Sequence, residues 1–210
     1  MYLPGHFKEE RAEVILPFIQ EYPLGVLVTV EKAEAQANHL PWMYENKTLQ
    51  AHIPKVNPLY QFLVEQKTVE VLVIFQGPQA YITPSWYPTK KQTGKVVPTW
   101  NYSVVHIRGV LGLQENTDWI RAHLEKATQW HEVKRESTWQ MSDAPKDYTD
   151  SMMGMLAGLE VTISSMVGKF KLSQNRPELD RSAVMEHLGA SSQEEDIKVA
   201  ELANRLREKP

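Results

Sequence analysis

Residues 24–52, LGVLVTVEKAEAQANHLPWMYENKTLQAH, decide the fold. Residues 24–30 are a β-branched run, the polar stretch 31–36 turns the chain, residues 37–44 form a second extended candidate, and Asn46-Lys47 turns it again into a third over 48–52. Strands joined by connections this short are antiparallel neighbours, because a parallel pair needs a crossover of about a dozen residues or more. The first half of the chain is therefore a meander and not a doubly wound sheet.

Working outward towards the N-terminus, the spacing of Ala12, Ile15, Leu16, Ile19 and Tyr22 predicts a helix over 8–22, kinked or shortened by Pro17, whose ring removes a backbone hydrogen bond. Towards the C-terminus, Asn57-Pro58 is a helix cap followed by a first-turn proline, with the helix running to about Gln66. Further strands are expected at 70–75 and 80–83, separated by a Gly77-Pro78 turn, and at 99–113 as one long strand or two. Asn116 or Thr117 caps a helix carrying Ile120, Leu124, Ala127 and His131 on one face. A short helix near 148–157 leads into a strand at 159–166, which 169–172 continues after Gly168, and helices at 178–188 and 193–207 complete the chain. This pattern suits an α+β fold, mainly antiparallel β, in which a closed barrel carries peripheral helices.

Composition narrows the chemistry. The 210 residues are 42% hydrophobic and contain no cysteine, which excludes disulfides, thiolate catalysis, Cys-ligated zinc and iron–sulfur clusters. The opening Met1-Tyr2-Leu3-Pro4-Gly5-His6 lacks a basic segment followed by an apolar one, and no window reaches membrane-spanning length, so the expectation is a cytoplasmic protein without membrane contact. A net charge of −3 gives no general attraction to nucleic acid, and DNA contact would need a local basic patch.

Three segments carry candidate chemistry. Lys55 stands between His52 and the Asn57-Pro58 helix start, where free N–H groups and a lysine together suit a phosphate; an exposed turn lysine is the plainer alternative. Residues 81–90 and 97–102 place Trp86, Tyr87, Trp100 and Tyr102 beside Ser85, Lys90 and Asn101, a composition for stacking on a planar ring and bonding its edge. Aromatics buried against the barrel or a second subunit would have the same composition. In residues 168–176, Lys171, Gln174 and Arg176 follow a strand and can grip a phosphate or a polar ring edge, or simply form a solvated strand end. His131-Glu132 is not a zinc motif, since Arg135 stands where the second histidine belongs. The two C-terminal helices suggest a helix-turn-helix, but Glu194, Glu195, Asp196 and Glu201 would repel phosphates.

GPQAYITPSWYPTK (77–90), VVPTWNY (96–102) with Val105-His106, and KLSQNR (171–176) together resemble the PaiB family of FMN-binding proteins, described as negative transcriptional regulators. The resemblance runs from Met1 through Asp180. It implies an FMN-binding split β-barrel over 1–176 with 177–210 as a helical extension of the same domain, and FMN at the interface of a homodimer. By the same likeness the flavin phosphate maps onto His52, Lys55 and Asn57, the ring is flanked by Ser85 to Tyr87 and Trp100 to Tyr102 of the partner copy, and Lys171, Gln174 and Arg176 complete the set. Lys55 replaces an expected arginine, keeping the charge but losing the bidentate fork. Family members are described as repressors of protease production and sporulation, which implies DNA or a regulatory protein as partner. No dedicated acid, base or nucleophile is evident, so the competing reading is an FMN-dependent oxidoreductase or flavin reductase related to pyridoxamine-phosphate oxidases, its chemistry supplied by the flavin. A plain ligand carrier is the third.

Overall fold

The computed structural model describes residues 1–207. In chain order the elements are β1 (Lys8–Glu9), α1 (Ala12–Glu21), β2 (Leu24–Glu31), β3 (Glu34–Pro41), β4 (Met43–Glu45), β5 (Thr48–Pro54), α2 (Pro58–Gln66), β6 (Thr68–Ile82), α3 (Lys90–Thr93), β7 (Thr99–Gln114), α4 (Thr117–Val133), α5 (Lys146–Gly154), β8 (Leu156–Lys171), α6 (Glu178–Gly189) and α7 (Glu194–Arg207). The expected extension over 177–210 is thus two helices, its residues 208–210 lying outside the described residues. The strands form one antiparallel sheet in the order β3-β2-β6-β7-β8-β5-β4, with β1 on β8.

The ladder has two ends, β3 and β4, so a barrel closed by hydrogen bonds is corrected to an open, split arrangement. The sequence of β3 explains its edge position. Most of its residues are exposed, and Glu34, Gln36 and Asn38 keep it from being covered on both sides.

By proximity the chain divides into two units. The first comprises Met1–Tyr22, Phe75–His106 and the segment from Met166 onward; the second comprises Pro23–Ile74 and Ile107–Ser165. In the second, the expected six-residue turn at 31–36 is a two-residue hairpin turn: Lys32 and Ala33 take φ of 50° and 68°, and pairing continues to Glu31↔Glu34. Asn46 and Lys47 repeat the geometry between β4 and β5. The single strand expected at 37–44 is divided at Trp42, whose side chain turns inward, 4% exposed, and whose backbone N–H donates to the Pro23 carbonyl at 2.9 Å. Asn57 caps α2 by accepting from the Leu59 N–H at 3.0 Å, and Leu59 and Leu63 face the core.

In the first unit, α1 is shorter than the 8–22 pattern because Lys8 and Glu9 pair with Lys169 and Gly168 of β8. Pro17 is accommodated within the helix, whose Val14, Ile15, Phe18 and Ile19 are buried. Gly77-Pro78 is no turn. The strand runs through it as β6, because a side chain at 77 would occupy the space of the Phe18 ring and the Ser103 hydroxyl, each 2.5 Å from an added Cβ. The Ser103 hydroxyl donates to the Pro78 carbonyl at 3.2 Å. Gly168 likewise leaves β8 unbroken.

Candidate functional site

Alternation along a strand puts Lys169 and Lys171 on one face of β8, and the turn that follows brings Arg176 to the same group in the first unit. Lys169 is 8% exposed; its ammonium lies 5.3 Å from the Tyr102 ring centre and 5.4 Å from that of Tyr2. The Lys171 ammonium donates to the Thr99 hydroxyl and the Trp100 carbonyl. Burial, and then the nearby charges of Lys169 and Arg176, push Lys171 below the ordinary lysine range. Arg176 stands 4.7 Å over the ring of Tyr87, itself 2% exposed, and desolvation raises the Tyr87 phenol. None of the ion pairs among the described residues includes Lys169, Lys171 or Arg176.

The neighbouring aromatics differ in exposure. Trp100 and Tyr81, 52% and 50% exposed, meet edge to face with centres 6.1 Å apart, leaving ring surface open to solvent. Trp86 is stacked on His187, and Ser85 and Lys90 are exposed. Two predicted residues spend their polar groups internally. The buried Asn101 amide donates to the Ser173 hydroxyl at 2.9 Å, and Gln174 accepts from the Leu172 N–H at 2.6 Å while donating to the Phe170 carbonyl at 2.5 Å.

The second unit holds the other predicted group. Lys55 is exposed and its ammonium donates to the Gly154 carbonyl at 3.1 Å. Asn57, besides capping α2, donates to the Asn38 side-chain oxygen at 3.0 Å. His52 Nδ1 lies 3.2 Å from His123 Nε2, and His123 stacks on Trp119. His123 is 3% exposed with Nδ1 unpartnered, so the favourable tautomer is the one that donates from Nε2 and leaves only a lone pair at Nδ1. Burial, then the charge of His52, pushes His123 down to about 4, and burial also lowers His52. A neutral, hydrogen-bonded pair results.

Lys169 stands in the 168–176 cluster without belonging to the predicted site residues, and Asp180, which accepts from the Thr89 N–H and hydroxyl, was missed by sequence reasoning. Lys169 had a readable signal, the two-residue spacing to Lys171. Asp180 had none, since one acid among many in a helical first turn does not stand out.

Residues 1–165 match the family model described as "Putative FMN-binding domain". The protease synthase and sporulation protein PAI 2 of Bacillus subtilis is 32% identical over 206 residues, 96% of each chain. An uncharacterized protein of Emericella nidulans is 32% identical over 233 residues, 91% of this chain and 93% of its own. Among solved structures, the FAD and heme binding protein from Mycobacterium smegmatis superposes with a TM-score of 0.61 at 12% identity, covering 79% of this chain and 73% of that one. The flavocytochrome Anf3 from Azotobacter vinelandii gives 0.57 at 10% identity, covering 78% and 69%. These two likenesses concern the fold alone.

Proposed function

Because the chain belongs to the PaiB family of FMN-binding domains, we propose that it binds FMN at a homodimer interface and acts as a negative regulator of gene expression. The observation that carries the flavin part is the first unit's group of Lys169, Lys171 and Arg176, cations that take part in no ion pair among the described residues. Such a group is costly as it stands and is relieved by an anion, and a phosphate dianion meets that need. The residues fit FMN in a second respect, since the open faces of Trp100 and Tyr81 are suited to a flat aromatic ring or to a second copy of the chain. Lys55 beside the start of α2 is the cation the second unit offers.

Bound FMN supplies hydride and one-electron chemistry. The chain's own residues bind and orient: Lys171 is fixed by Thr99 and the Trp100 carbonyl, and Arg176 stands over the Tyr87 ring, so both cations are held in place before a ligand arrives. The regulatory part is supported by the likeness to PAI 2 of Bacillus subtilis. The acidic first turn of α7, Glu194, Glu195 and Asp196, makes a regulatory protein the favoured partner over a DNA-reading helix.

Titration of the purified protein with FMN, followed by flavin absorbance and fluorescence, tests the reading. Saturable binding that weakens with salt and in Lys171→Ala supports it, and a protein that ignores added FMN rejects it. Rapid NADPH oxidation by the FMN-loaded protein would replace the regulator with an oxidoreductase.

A further inference from the structure

The family match ends at residue 165, so α6 and α7 have no part assigned to them. Within the first unit, three contacts join this C-terminal segment to the loop at 83–94. Asp180, in the first turn of α6, is 1% exposed; its carboxylate accepts from the Thr89 N–H at 3.1 Å and from the Thr89 hydroxyl at 2.7 Å. His187, farther along α6, stacks on Trp86 with ring centres 5.2 Å apart and planes 17° from parallel. Arg176, just before α6, lies over Tyr87.

The loop has little regular structure of its own. It consists of one 3-10 turn at Pro84–Trp86 and the four-residue α3, which ends on Gly94 at φ +65°. A buried carboxylate is costly unless its oxygens are satisfied, and both oxygens of Asp180 are satisfied by Thr89. No ion pair among the described residues uses it. The acid therefore serves the loop.

We infer that α6 is a working part of the ligand site: Asp180 and His187 are positioning residues that hold the 83–94 loop in one conformation, with Tyr87 buried as its anchor, and so present Trp86 to the flavin. Holding the loop in advance removes the entropy that binding would otherwise cost. The identity of the ligand rests on the FMN reading above; the clamp itself does not.

Two measurements on the full chain separate these claims: hydrogen exchange of amides in residues 84–94 without ligand, and FMN titration. In Asp180→Ala the loop amides exchange about tenfold faster and FMN affinity falls about tenfold, the size of one lost charge-assisted hydrogen bond. Asp180→Asn restores both to within about threefold, because its amide oxygen can accept from the Thr89 N–H and its amide nitrogen can donate to the hydroxyl. Thr89→Val weakens binding alone but adds nothing to Asp180→Ala. His187→Ala, at an exposed position, speeds loop exchange by a smaller factor and covers the case in which Asp180→Ala does not fold. Unchanged exchange in Asp180→Ala and His187→Ala overturns the clamp, as does full additivity with Thr89→Val. A wild-type chain that binds no FMN removes the flavin as ligand, while the exchange result still decides whether α6 holds the loop.

Discussion

The polar groups around the predicted residues of the second unit and the cation group of the first are satisfied in different ways. In the second, polar groups satisfy one another: Glu160 accepts from Gln50 at 3.2 Å and Gln114 at 3.1 Å, Arg121 pairs with Asp150 at 2.6 Å, Lys126 pairs with Glu45, and His52 pairs with His123. In the first, Lys169, Lys171 and Arg176 are left facing aromatic rings and backbone carbonyls. Satisfied networks hold a structure together, whereas crowded cations without counter-charge invite an anion. The contrast ranks the two groups by how strongly each invites an anion.

The largest effect expected concerns the second unit's buried histidines. Burial holds His123 near 4 against 6.5 in the unfolded chain, so as pH falls the unfolded chain takes up the proton first. Stability is therefore full above pH 6.5 and is lost as pH falls towards 4, by about 2 to 3 kcal/mol between pH 7 and pH 4.5. Denaturant midpoints at the two pH values measure it, and His123→Phe should flatten the slope; an unchanged slope would mean that the pair is not the source. In the first unit, Lys171→Ala and Arg176→Ala should each weaken FMN binding about 30-fold, about 2 kcal/mol, as read by flavin fluorescence. Gly77→Ala should lower stability by about 1.5 kcal/mol through its clash with Phe18, visible as a drop in Tm with FMN affinity preserved in the folded fraction. The smallest change is expected for Lys55→Ala, whose exposed ammonium is screened by solvent: FMN binding should weaken by less than about tenfold. A loss as large as that of Lys171→Ala would break the contrast and place the phosphate at the start of α2.

Much of the fold was legible because its determinants are local. Asn57-Pro58 announces α2 within a residue of its observed start, Asn116 caps α4 through its side chain, and Asn46-Lys47 turns β4 into β5. Gly77 misled for a physical reason, whereas the strand expected to continue after Gly168 does so. Glycine near a proline is read as a break, yet at 77 it answers a steric demand from Phe18 and Ser103, residues far away in sequence. The same limit applies to the candidate site: Trp100, Lys171 and Arg176 could be nominated by composition, but nothing local distinguishes them from Asn101 or Gln174, whose amides are consumed by Ser173 and the Phe170 and Leu172 backbone.

By itself, the sequence determined the antiparallel meander, the cysteine-free chemistry and the motifs that mark an FMN-binding family, because hydrophobic period, turn residues and composition act over a few neighbours. Only the tertiary structure decided that the sheet stays open, that Arg176 lies over the buried ring of Tyr87, and that Asp180 holds Thr89 across 91 positions of chain. Burial and hydrogen-bond satisfaction depend on which distant groups arrive at the same place, and that information exists only once the chain has folded.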